Sequence, residues 1–259
     1  MLTTEQIAEF EERGFVRIPG AFPREEAEAL EGRVWRWLEK KRGISAEAAD
    51  TWPEGQIWGL QELKSLGTNV IGTDATRGAI DGLLGSGHWK QPRDWGGLLI
   101  TFPSAGTWRV PHRVWHTDFD YVGSLERPVG ALVFSFVSDV PPGAGGTAVV
   151  EGSPHLVARF LAAHPRASFK KMRNLRRALL ASEPWLVGLS SGDEDPRRND
   201  RLMQDGAVID GHPVRVAELS AEAGDLVIGH PWLLHAGAPN CGSRPRMMCV
   251  QRIPIAKPS

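Results

Sequence analysis

The sequence predicts a mainly β fold with flanking helices: a two-sheet jelly roll with helices at its N-terminus and a helical insert between strands. Three observations carry this expectation. From residue 97 onward, about eight short apolar or alternating runs recur between Gly and Pro residues, as the strands of a sandwich or barrel do. Helical periodicity gathers mostly ahead of them, before residue 84. One segment, residues 156–213, reads as helix and polar loop and separates two groups of strands.

Taken in order, Thr3 and Gln6 form a capping-box pattern ahead of Ile7 and Phe10, and Gly14 supplies the stop of a short amphipathic helix. Residues 15–18 read as a strand. Pro23 suits a first helical turn, and Ala27, Leu30, Val34, Trp37 and Leu38 recur at helical spacing until Gly43. Residues 46–73 lack a period and carry glycines at 55, 59 and 67, which predicts mainly loop. Asp74 is placed to cap a helix that runs to Leu84. Strands are expected at 98–102, 112–119, 129–137 and 147–151, then at 214–219, 225–228, 232–236 and 246–253. Between the two groups, helices are expected near 156–163 and 169–181, followed by a polar loop over 190–201.

Composition narrows the function. The 259 residues suffice for a sizeable core and favour one domain over 1–259. With 41% hydrophobic and 24% charged residues and a net charge of -1, nothing suggests a nucleic-acid partner, and a small-molecule substrate is the expectation. Cys241 and Cys249 lack C-x-x-C spacing, which argues against a disulfide scaffold or zinc knuckle and fits a cytoplasmic setting. No apolar run approaches ~18 residues and the N-terminal flanks are acidic, so neither membrane span nor signal peptide is expected.

The chemistry starts at Trp115-His116-Thr117-Asp118. On a strand, residues i and i+2 share a face, so His116 and Asp118 can grip one cation. The pattern alone is weak and needs a third ligand from elsewhere. His235, in Gly229-His-Pro-Trp-Leu-Leu-His-Ala-Gly, is the best candidate. Two His and one carboxylate leave open positions as in non-haem Fe(II) oxygenases, with a zinc hydrolase as the rival. Arg246, at the start of a returning strand, separates the two, because its guanidinium can pair in bidentate fashion with the far carboxylate of a 2-oxoacid that chelates iron.

The ordered set of motifs resembles the phytanoyl-CoA dioxygenase family of Fe(II)/2-oxoglutarate oxygenases. The set comprises the N-terminal run from Leu2 to Gly20, Trp115-His116-Thr117-Asp118, Gly146-Thr147 leading to Gly152-Ser153-Pro154-His155, Ala223-Gly224-Asp225, and His235 with Arg246. The resemblance implies a cupin-like double-stranded β-helix, iron on His116, Asp118 and His235, and 2-oxoglutarate on Arg246. It further implies an O2-dependent hydroxylation of a small organic molecule, with release of succinate and CO2, of the kind used in secondary metabolism. Because Asp118 fills the carboxylate position, no ligand site is vacated for chloride, so hydroxylation is preferred over halogenation. The departures are the extra proline before His155, which therefore carries no direct role, and the insert. A jelly-roll binding module without catalysis is the reading of a different class.

Around this site, Thr147 is a candidate hydrogen-bond partner of the cosubstrate. Trp58, Trp108, His112, Trp115, Phe119 and Tyr121 are candidate walls of a substrate pocket, set against ordinary core packing. Asp120 and His230 are weaker ligand candidates, Asp225 reads as a turn residue, and Arg244 and Arg252 compete with Arg246, Arg252 being too distant if the family spacing holds. Between Leu156 and Arg201 stand ten Lys or Arg against five Asp or Glu, including Lys170, Lys171, Arg173, Arg176 and Arg177. Such a run is either a solvated helix face or a lid whose arginines meet an anionic or carrier-bound substrate.

Overall fold

The computed structural model describes residues 1–256. The chain opens on α1 (Thr4–Arg13), where the Thr3 hydroxyl accepts from the Gln6 N–H and the Gln6 side chain accepts from the Thr3 N–H. Gly14, at φ 82°, ends the helix by donating its N–H to the Phe10 carbonyl. Next come β1 (Phe15–Ile18), α2 (Arg24–Arg42), β2 (Gly55–Ile57), α3 (Asp74–Leu84), β3 (Gly97–Phe102), β4 (Gly130–Phe136) and β5 (Ala148–Glu151). Three helices follow, α4 (Ser153–Ala163), α5 (Met172–Ala181) and α6 (Pro184–Ser190), and a π-helical turn over Asp200–Asp205. The chain closes with β6 (Ala207–Ile209), β7 (His212–Glu218), β8 (Leu226–Gly229), β9 (His235–Ala236) and β10 (Arg246–Pro254).

The strands form a six-stranded sheet, in order β1-β8-β4-β10-β3-β2, and a four-stranded sheet, β6-β7-β5-β9, with every pairing antiparallel. Period-2 alternation assigns the faces of the larger sheet. Leu132, Phe134 and Phe136 of β4 and Met248 of β10 meet Val149 of the smaller sheet and Leu219, just past β7, in one apolar cluster. The alternate residues, Ala131, Val133, Met247 and Cys249, pack outward against Ala27, Leu30, Val34 and Leu38 of α2. Burial on both faces explains why β4 reads as a near-continuous apolar run, broken only by Ser135, rather than an alternating one. A third cluster joins Val150 and Val216 of the smaller sheet to Leu156, Leu175, Leu179, Leu186 and Leu189 of the three helices after β5.

Several sequence expectations need correction. Residues 112–119 are not a strand: Val114 takes φ 56°, a left-handed conformation that breaks any ladder, and only His116 pairs, in an isolated bridge with His235. The stretch 46–73 is not purely loop, since β2 pairs with β3 there and short 3-10 turns flank it. Thr73, rather than Asp74, caps α3, its hydroxyl accepting from the Thr76 N–H. The helical segment begins at Ser153, and the expected 156–213 range takes in β6 and the start of β7. The strand expected at 232–236 shrinks to two residues because Leu233 N–H turns back to the His230 carbonyl. Among the described residues the two sheets do not close into a barrel; single bridges, Val140 to Ala221 and Ala144 to Asn240 among them, link strands and connecting loops. Both cysteines are free, and among the described residues no helix is long and apolar enough to cross a membrane.

Candidate metal centre

Both histidines of the predicted triad are held by backbone. The His116 N–H donates to the His235 carbonyl at 3.0 Å and the His235 N–H to the His116 carbonyl at 2.9 Å, while β9 holds His235 beside Val149 of β5. Each ring is then oriented by the carbonyl two residues back. His116 Nδ1–H donates to Val114 at 2.7 Å, and His235 Nδ1–H donates to Leu233 at 3.0 Å. A carbonyl only accepts, so both rings carry their proton on Nδ1 and present a bare Nε2 lone pair, the state a metal ligand requires. Val114's left-handed φ, costly for a β-branched residue, accompanies the turn that aims its carbonyl at the ring.

Asp118 stands between the two lone pairs. Its Oδ1 lies 3.6 Å from His116 Nε2 and its Oδ2 3.8 Å from His235 Nε2, and one donor atom from each of the three residues falls within 4.8 Å of the others. A cation about 2.1 Å from each nitrogen bridges gaps of this size. Burial, and next the neighbouring His116, push the His235 pKa down to about 4, so the ring is neutral at pH 7. Phe134 packs edge-on against it, with ring centroids 5.7 Å apart.

Arg246 starts β10 directly opposite Thr101 of β3, and its Nη2 donates to the Thr101 hydroxyl at 2.7 Å. The guanidinium is buried, and its Nε and Nη1 have no protein partner. Unpaired N–H donors on a buried cation call for an anion, and Nη1 together with the second N–H of Nη2 forms an end-on fork that fits a carboxylate. Burial lowers the pKa of this group to about 10, which leaves it cationic at neutral pH. The triad and Arg246 line one cavity of about 840 Å³, large enough for a 2-oxoacid and a further organic molecule. The residues present therefore fit both an iron ion and 2-oxoglutarate.

The remaining candidates divide. Thr147 is buried and lines the cavity, its hydroxyl 3.7 Å from Met248 Sδ, and Trp58 lines the mouth. Trp115 and Tyr121 lie in the apolar cluster beneath the helices after β5, and Trp115 donates its indole N–H to the Pro111 carbonyl at 2.9 Å. Trp108 packs against that same cluster. Phe119 packs beside Gly130 in the inter-sheet core, and His112 is exposed near Gly192. Asp120 is exposed, while His230 is buried against Phe10 and Trp232, away from the triad. Asp225 is a turn residue, as expected, accepting from Arg17 and from the backbone of Gly20 and Glu222. Arg252 stays outside the cavity that holds Arg246, as expected; its Nη1 donates to the Asp118 carbonyl at 3.2 Å, bracing the Asp118 loop from outside. Sequence reading missed Thr101 and Gln56 as cavity residues, because only the β2-β3-β10 pairing brings them to Arg246.

Two packed antiparallel sheets with a His-x-Asp…His cluster and a buried arginine in one cavity define a non-haem metal, 2-oxoacid-dependent class of oxygenase. The family model for phytanoyl-CoA dioxygenase (PhyH) matches residues 10–248, and the chain belongs to that family. Solved structures share the fold. The non-heme α-ketoglutarate-dependent carbocyclase SnoK from nogalamycin biosynthesis has 18% identity and a TM-score of 0.57, covering 98% of this chain and 84% of its own. The epimerase SnoN, solved with Fe3+, α-ketoglutarate and nogalamycin RO, has 15% identity and a TM-score of 0.52, covering 96% of this chain and 82% of its own. HygX from Streptomyces hygroscopicus, with nickel and 2-oxoglutarate bound, has 16% identity and a TM-score of 0.52, covering 98% and 87%. No curated protein matches the chain.

Proposed function

We propose that this protein is an Fe(II)- and 2-oxoglutarate-dependent dioxygenase that hydroxylates a small organic molecule in secondary metabolism. The observation that carries the reading is the pairing, in one cavity, of three convergent donor atoms with a buried guanidinium that has two unpaired N–H groups. His116, Asp118 and His235 would hold the iron; Arg246 would take the far carboxylate of 2-oxoglutarate, with Thr101 fixing its plane and Thr147 beside it. Bound there, iron with 2-oxoglutarate and O2 supplies the oxidation, in which succinate and CO2 leave and one oxygen atom passes to the substrate.

The chain's own contribution is orientation and protection. The carbonyls of Val114 and Leu233 fix the ring tautomers, Phe134 shields His235 from water, and the inter-sheet core keeps the cavity floor dry. Asp118 retains the carboxylate ligand, which favours hydroxyl over halide transfer; chlorinated product formed in the presence of chloride would overturn that part. A zinc hydrolase is disfavoured because, among the described residues lining the cavity, the triad supplies every histidine and carboxylate, leaving no general base.

The test is spectroscopic. Anaerobic addition of Fe(II) and then 2-oxoglutarate is expected to give a visible metal-to-ligand charge-transfer band, which zinc cannot produce. A folded protein with no band overturns the reading, and product analysis with candidate substrates distinguishes hydroxylation from cyclisation or epimerisation.

A further inference from the structure

Helix α5 carries an arginine where its period requires an apolar residue. Met172, Leu175, Arg176 and Leu179 fall at i, i+3, i+4 and i+7, the face that a helix turns toward a core. Leu175 and Leu179 are fully buried in the cluster below the helix, Met172 packs against it, and Arg176 is half-buried on the same stripe. Lys170, Lys171, Arg173 and Arg177 face solvent instead. One member of the basic run is therefore turned inward, and the charge of the others is a solvated face.

Arg176 reaches the cavity that holds the triad and Arg246. Other arginines of the same segment are tied down: Arg159 to Glu183 and Asp210, Arg198 to the carbonyls of Gly188 and Leu189, and Arg201 to Asp193. Among the described residues Arg176 has no hydrogen bond or ion pair, and the phenol of Tyr121 is the group that feels its charge. A half-buried guanidinium with no protein partner, set on an otherwise apolar stripe, leaves its N–H groups open to whatever fills the cavity. The cavity's other cation, Arg246, would have its counter-charge in 2-oxoglutarate, whereas that cosubstrate leaves Arg176 without one.

The rim of the same cavity supplies the complementary feature. Trp58 is 73% exposed and Val114 71% exposed, and both line the cavity mouth. Large apolar side chains left open beside a cavity mark where an apolar body docks. We propose that Arg176 binds an acidic group of the organic substrate, a carboxylate or a phosphate ester, while the substrate's apolar body lies against Trp58 and Val114. This rests on the oxygenase reading for the fate of the molecule, and on the cavity alone for its binding.

The test is calorimetric binding of 2-naphthoate, 2-naphthyl phosphate and neutral 2-naphthamide to the full chain, with 2-oxoglutarate saturating so that Arg246 is filled. At least one anion is expected to bind at least about tenfold more tightly than the amide, and the better of the two identifies the acid. Arg176→Gln should abolish that preference, Arg173→Gln should retain it, and Trp58→Ala should weaken all three probes alike. Equal binding of anions and amide, no binding of either anion at millimolar concentration, or equal loss in the Arg173 and Arg176 variants would overturn the proposal. Circular dichroism checks the fold of each variant. The charge-transfer band is read in parallel: its absence in the unaltered protein defeats the oxygenase reading without touching the binding result, and its persistence in Arg176→Gln separates substrate binding from the metal centre.

Discussion

His116 and His235 exchange both backbone hydrogen bonds across a single bridge, with ring centroids 4.3 Å apart, although one lies in a loop and the other in a two-residue strand. The main chain thus brings the two rings together. Replacing either by Ala removes an Nε2 donor and leaves that bridge in place. His116→Ala and His235→Ala are therefore expected to stay folded while losing the charge-transfer band. Succinate release should fall by at least ~100-fold, the upper end of what even outer-shell changes cost a metal site. Near-normal iron binding in either variant would exclude it as a ligand.

Arg246 is expected to resist conservative exchange. Lysine keeps the charge but cannot present two parallel N–H groups to a carboxylate while still donating to Thr101. Arg246→Lys should raise the KM for 2-oxoglutarate by roughly 30-fold, about 2 kcal/mol of lost charge-assisted bonding. Iron affinity measured without the cosubstrate should stay unchanged. A variant that lowers kcat with KM unaltered would assign Arg246 another role.

His116, Asp118, His235 and Arg246 are legible as an ordered set, each being weak alone, and α1 is plain because Thr3, Gln6 and Gly14 each act locally. Thr101 escaped notice since its role exists only through its register opposite Arg246. Alternation over 112–119 predicts a strand because it cannot reveal a positive φ at Val114, a valine being among the residues least expected there. Arg176 was visible as one charge in a basic run, but its direction depends on how Leu175 and Leu179 dock.

The helices after β5 are also expected to support the metal loop. Asn199 accepts from the Val110 N–H at 2.9 Å and donates to the Trp108 carbonyl at 3.0 Å, and Arg198 donates to the Pro111 carbonyl at 3.3 Å, tying this segment to the residues that lead into His116. Asn199→Ala leaves two half-buried backbone groups unpaired. Global stability should fall by about 1–2 kcal/mol in urea denaturation, the usual cost of unsatisfied groups. Iron affinity should drop as well, while Asn199→Asp, which keeps the acceptor, recovers part of both. Loss of stability with unchanged iron affinity would mean that the loop holds its shape unaided.

His230 provides a pH dependence whose sign follows from its surroundings. It is buried, and its Nδ1 accepts from the Trp232 N–H at 3.0 Å, so protonation there breaks a bond as well as burying a charge. Burial pushes its pKa down to about 4 from the ordinary value of 6.5. Because the unfolded chain takes up the proton first, the stabilising effect of the neutral ring is full above the unfolded pKa and is lost as pH falls toward the folded one. Stability should therefore decline on acidification by up to ~1.4 kcal/mol per pH unit from this group between about pH 6.5 and 4. His230→Asn keeps an acceptor for Trp232 without the titration. Denaturation midpoints followed from pH 7 to pH 5 should fall less steeply in that variant than in the unaltered protein, and parallel slopes would remove His230 from the account.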